Sequence, residues 1–126
     1  MSQPNRPVLQ PGPEHPISVS TTPINVRVSA GGDLVAESAE AIELREHVYA
    51  PVLYVDRADL PADRLERSQT TSWCPYKGEA NYFHLVLEDG TKLVDAVWTY
   101  ESPFEAVAAI KDRLGFYPDL VTVAVI

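Results

Sequence analysis

Two runs of β-forming residues, Ala80 to Leu87 and Lys92 to Tyr100, stand on either side of Glu88-Asp89-Gly90-Thr91. An Asp-Gly pair between such runs is a strong hairpin signal, because both types tolerate the positive φ that tight turns require. The centre of the chain is therefore committed to antiparallel sheet. With Asp89 and Gly90 as a two-residue loop, Glu88 faces Thr91, Val86 faces Leu93, His84 faces Asp95 and Tyr82 faces Val97. Strand alternation then puts Phe83, Leu85, Val94, Ala96, Trp98 and Tyr100 on the core face, and Tyr82, His84 and Asp95 on the other. One extra loop residue would destroy the pairing of His84 with Asp95.

The same logic extends outward in both directions. Six of eleven prolines fall before residue 24, which predicts an extended, proline-rich arm over 1–23 in which His15 is solvated. A β-rich domain over 24–126 follows. Ile24, Val26 and Val28 alternate with Asn25, Arg27 and Ser29 before Gly31-Gly32 turns the chain into a returning strand from Leu34 to Ser38, with Glu37 near its end. Ala39 to Leu44 extends the sheet or forms a short helical turn. Tyr49 to Val55 reads as an edge strand because Pro51 cannot donate to a ladder. Leu60 to Leu65 reads as a loop or one helical turn.

Ser102-Pro103-Phe104-Glu105 has the form of a capping box. It predicts one α-helix with Ala106, Val107, Ile110 and Leu114 as its buried stripe and Gly115 as its stop. Leu120 to Ile126 is apolar enough to be placed inside the sheet. The predicted fold class is mainly β, with antiparallel sheets and one α-helix in the C-terminal half.

At 126 residues the chain is long enough for its own core. Eighteen acidic against ten basic residues give a net charge of −8, which disfavours nucleic acid and anionic membranes as partners. A single cysteine, Cys74, excludes an intramolecular disulfide, and histidines at 15, 47 and 84 lack structural-zinc spacing, so neither metal nor cofactor is expected. The start, MSQPNRPVLQPGPEHP, has no apolar core of signal-peptide type, and no apolar run approaches a membrane span. A cytoplasmic protein, monomeric or homodimeric, is the expectation.

Chemistry is concentrated in Trp73-Cys74-Pro75-Tyr76-Lys77-Gly78, where a thiol, a cation and two aromatics share six residues with two backbone punctuators. The plain reading is a turn with a small buried cysteine and a solvated lysine. The functional reading has Lys77 holding an anionic group and lowering the Cys74 thiol pKa toward nucleophilicity, with His84 as base and Asp95 as its orienter. An ordinary cross-strand ion pair is the plainer account of His84 and Asp95.

The segments GDLVAES, CPYKGEANYF, DAVWTYESP and LGFYPD, spread from about Val26 to Val123, resemble those of the domain-of-unknown-function 427 family. The resemblance implies a β-tent or Mss4-like fold and brings a nucleotidyltransferase-like family label. The residues carry no Gly-Ser phosphate loop and no readable set of magnesium carboxylates for such an activity, nor the paired Cys-x-x-Cys knuckles of zinc-bearing relatives of that fold. Family-like positions are Glu37, Cys74, Tyr76, Lys77, Tyr82, Trp98, Tyr100 and Tyr117, together with Pro75, Gly78, Pro103 and Phe116. The function expected is a small-molecule site, with or without catalysis. Cys74, Lys77, His84 and Asp95 are its catalytic candidates, and Glu37, Tyr76, Tyr82, Trp98, Tyr100 and Tyr117 its ligand contacts. The alternative is a non-catalytic module that recognises a peptide or a partner protein.

Overall fold

The computed structural model describes residues 6–126; the part of the predicted arm over 1–5 lies outside the described residues. The strands are β1 (Ile17–Ala30), β2 (Asp33–Glu46), β3 (Val52–Tyr54), β4 (Leu65–Cys74), β5 (Gly78–Val86), β6 (Lys92–Thr99), β7 (Leu114–Phe116) and β8 (Thr122–Val125). They form two four-stranded antiparallel sheets, ordered β3-β2-β1-β8 and β4-β5-β6-β7. The edges β3 and β7 meet where Val55 and Leu114 exchange two backbone hydrogen bonds of 2.9 Å, so the sheets curl into one half-barrel. The fold is mainly β and antiparallel, as predicted.

The first hairpin is longer than its apolar alternation. Gly31 and Gly32, at φ of 58° and 85°, form the two-residue loop that lets Ala30 face Asp33. Pairing then runs back to Ile17 with Glu46, well before the predicted start at Ile24. Pro23 sits in the register break between Ser20 and Ile24, where its missing N–H interrupts no regular ladder. Val26 and Val28 are fully buried and pack with Phe83, Leu85, Val97 and Leu114 between the sheets. A second cluster, including Leu44, Tyr54, Ala80, Tyr100, Val107 and Ile110, lies on the other face of β5. Each fully buried aliphatic side chain contributes about 1.5–3 kcal/mol through burial.

The central hairpin differs from its predicted register. Leu87 donates to the Thr91 carbonyl (2.8 Å) and Gly90, at φ 88°, donates to the Leu87 carbonyl, so the loop holds Glu88, Asp89 and Gly90. The extra residue shifts pairing to Val86 with Lys92 and Leu85 with Leu93. Beyond Leu93 a bulge opens: Phe83 faces Val97, leaving Val94, Asp95 and Ala96 opposite His84 alone. Tyr82 consequently faces Trp98 rather than Val97, which moves Trp98 from the Phe83 face to the Tyr82 face. Val94, assigned to the core by simple alternation, is exposed.

Other expectations are corrected by local hydrogen bonding. The predicted α-helix is a 3-10 segment, Glu105–Ile110, broken at Val107 and capped by Phe104 without a side-chain bond. The Phe104 N–H is held by the Lys77 carbonyl (3.1 Å), which keeps Phe104 extended and spoils the cap that Ser102 would make. The Asp112 N–H, donated to the Tyr100 carbonyl, ends the segment. Its buried residues, Val107 and Ile110, are two of the predicted stripe. Gly115 is not a helix stop but part of β7, facing Trp98. The C-terminal strand is an edge: β8 pairs only β1, and Val125 and Ile126 are exposed. Its apolarity belongs to one face, through Val121 and Val123. Strand β4 goes unread in the sequence because Arg67 to Ser72 is polar throughout, as befits an exposed edge.

Candidate functional site

The Cys74 segment is the tight turn between β4 and β5. Pro75, with its fixed φ, follows Cys74, the Lys77 N–H returns to the Cys74 carbonyl (3.2 Å), and Gly78 at φ 108° completes a bulged loop. This geometry turns the Lys77 side chain inward. It is buried, 7% exposed, and its ammonium is bonded to the Glu46 carboxylate at the end of β2. The other Glu46 oxygen lies 2.7 Å from His15 Nε2. Burial pushes the Glu46 carboxyl up, but hydrogen bonds from Lys77 and His15 outweigh it and hold the group below its ordinary value.

His15 is not solvated. Its ring stacks on Tyr76 at 4.1 Å and on His47 at 5.0 Å, with Tyr49 edge-on to His15 and His47. The arm is fastened at further points: the Leu9 N–H donates to the Pro75 carbonyl, Trp73 Nε1–H donates to the Pro7 carbonyl, and Arg6 pairs with Glu79. The proline-rich stretch thus lies along the turn that carries Lys77.

Beside the ion pair is a cavity of about 230 Å³. Leu44 and Glu46 of β2, Tyr49 and Ala50 of the following loop, and Val52 and Tyr54 of β3 form one wall. Lys77, Tyr82 of β5, Trp98 of β6, Tyr100 and Tyr117 form the other. Trp98 Nε1–H donates to the Tyr54 hydroxyl (3.1 Å), the two rings meeting edge to face, and Tyr117 packs on Trp98 at 4.7 Å. The Tyr82 hydroxyl lies 2.8 Å from Ser72 Oγ and 3.4 Å from the Tyr117 hydroxyl. Burial raises the phenols of Tyr54 and Tyr100 above their ordinary value, and burial followed by the Tyr82 contact pushes Tyr117 up to about 12. All three stay neutral hydrogen-bonding groups at physiological pH.

Of the residues singled out in the sequence, Lys77, Tyr82, Trp98, Tyr100 and Tyr117 come together around this cavity. Cys74 packs against the second core cluster but does not line the cavity, and the Lys77 ammonium is engaged by Glu46. Lys77 is thereby committed to a carboxylate rather than to the thiol or an anionic ligand. Tyr76 faces the arm through His15. Glu37 stands on the exposed first hairpin, paired with Arg27 at 3.3 Å. His84 and Asp95 do meet, but through the bulge: the Asp95 N–H donates to His84 Nδ1 (3.0 Å), which occupies that nitrogen as an acceptor. Bonds from Ser68 and Thr70 keep the Asp95 carboxyl below its ordinary value, and the pair lies outside the cavity lining. Glu46, Tyr49, Tyr54 and His15 were missed as site residues. Tyr49 and Tyr54 were visible only as strand formers, and Glu46 and His15 had no local signal.

Among the described residues no helix is long and apolar enough to cross a membrane, and no group of three or more His, Cys, Asp or Glu side chains is placed to hold a metal ion. No curated protein matches the chain. The family model named NTP_transf_9, a domain of unknown function (DUF427), matches residues 18–126, which contain every residue of the cavity lining and both sheets but for Ile17. The chain therefore belongs to the DUF427 family.

Proposed function

We propose that this protein binds a small, uncharged, ring-sized molecule in the cavity between Tyr54, Trp98 and Lys77. The observation that carries this reading is the Tyr54 hydroxyl. Buried at 1% exposure, it accepts the Trp98 indole N–H, and among the described residues it has no acceptor for its own proton. A carbonyl or ether oxygen on a ligand would satisfy it, and satisfying a buried donor is worth about 1–3 kcal/mol. The rings of Trp98, Tyr82 and Tyr117 offer flanking surface for a planar partner.

Size and charge narrow the class. The cavity is larger than the roughly 150 Å³ that admits benzene and smaller than the ~300–1,000 Å³ of clefts that take drug-sized ligands. Lys77 is the one cation in the lining, and Glu46 neutralises it, so a triphosphate has no unpaired charge to meet there. Non-covalent recognition is favoured over nucleophilic catalysis because the thiol is not part of the lining and the ammonium is engaged.

Ligand-observed NMR with acetophenone, benzamide and toluene tests the reading. The two carbonyl compounds should bind saturably, and Tyr54→Phe should weaken them about tenfold while leaving toluene little changed. Equal affinity for all three in wild type and Tyr54→Phe would sink it.

A further inference from the structure

The ring-sized cavity does not end at Trp98. A second hollow, of about 390 Å³, adjoins it, and the two share Ala50, Val52, Trp98 and Tyr117 as wall residues. The second is of different chemistry. Pro51, Leu53, Phe116, Pro118, Val121 and Val123 complete it, and no charged side chain lines it. Its floor belongs to the inter-sheet core through Phe116 and Val121, while its mouth is formed by exposed Pro51 and Pro118. An apolar hollow of this kind left to water forgoes the free energy that a hydrocarbon occupant would recover.

We propose that the two hollows are one site for an uncharged aryl molecule carrying an apolar tail. The ring and its oxygen acceptor lie against Tyr54 and Trp98, and the tail passes the Trp98–Tyr117 contact into the hollow between β3 and β8. This inference rests on the reading of the first cavity and extends it to a ligand class. Three observations support the proposal: the four shared wall residues, the partial exposure of Tyr117 (38%) where the two hollows adjoin, and the contrast between a first hollow that carries an ion pair and phenol hydroxyls and a second with no charged side chain. Binding of this kind leaves the ion pair of Lys77 with Glu46 intact, since the tail leads away from it.

A homologous series of aryl ketones tests the connection: acetophenone, butyrophenone and hexanophenone, titrated by NMR or calorimetry into the full chain. Affinity should rise about two- to fourfold per added methylene, as expected for burial of each group. Pro51→Asp, which puts a charge at the mouth, and Val123→Phe, which fills the hollow, should each flatten that dependence while acetophenone still binds. Acetophenone binding without a chain-length gain in the wild type would overturn the two-hollow site and leave the single cavity standing. A gain that persists in both variants would overturn it equally, since the tail would then lie elsewhere. Failure of every ketone, including acetophenone, would overturn the reading of the first cavity and this inference with it.

Discussion

The indole of Trp98 covers Gly115 so closely that a Cβ built there would stand 2.4 Å from the ring. The two residues face one another across β6 and β7, and the contact seats an indole that lines both hollows. Gly115 is thus required by a close approach, not by an unusual backbone angle.

Gly115→Ala should therefore displace Trp98, lengthen its bond to Tyr54 and cost about 1–3 kcal/mol in overpacking. Urea denaturation reads the stability. Emission in a Trp73→Phe background reads the environment of Trp98 alone. Wild-type stability together with an unchanged spectrum would show that the ring yields without cost.

The bond between Lys77 and Glu46 makes a prediction whose sign depends on pH. Because the Glu46 carboxyl lies below its ordinary value in the folded chain, folding favours its ionised form. The stabilisation is complete above the ordinary carboxylate pKa, about 4.3, and is lost as pH falls through the lower folded value. Glu46→Leu leaves a buried ammonium unpaired and should cost about 3 kcal/mol or more at pH 7. The double variant Glu46→Leu/Lys77→Met should recover much of that loss, and the gap between wild type and the double variant should shift toward the double variant on going from pH 7 to pH 3. Urea midpoints at the two pH values check both statements; a gap that moves the other way would refute the assignment.

Asp95 holds the bulge at φ 52°, a left-handed conformation that an ordinary side chain resists. Asp95→Ala keeps that strain and loses the bond from Thr70 Oγ1 (2.7 Å). Asp95→Gly loses the same bond but relieves the strain, so it should be the more stable of the two by about 1 kcal/mol. Thermal unfolding of the two variants decides it; alanine equal to or better than glycine would mean that the bulge relaxes.

Much of the fold could be read in advance because local chemistry carries it. Gly31-Gly32 and Asp89-Gly90 announce their turns, and Val26 and Val28 announce a buried face. The capping box at Ser102 misled because a tertiary bond, Phe104 to the Lys77 carbonyl, overrode a local preference worth about 1 kcal/mol. The site was half legible. Aromatic residues near an unusual turn were conspicuous, whereas the carboxylate that binds Lys77 sits 31 positions away in a charged stretch, ELREH, with no periodicity to mark it.

By itself the sequence determined an acidic, antiparallel β protein with turns at its glycines and a cluster of aromatic residues in its second half. Only the tertiary structure decided which of those aromatics meet. One additional loop residue moves Trp98 onto the face of Tyr82, because side chains alternate along a strand and a single-residue slip exchanges the two faces; the bulge, which sets three residues against one, adds two residues and keeps that exchange. Which charge neutralises Lys77 was settled in the same way, by the pairing of distant strands, since a carboxylate has no preference for a particular lysine until the backbone brings them together.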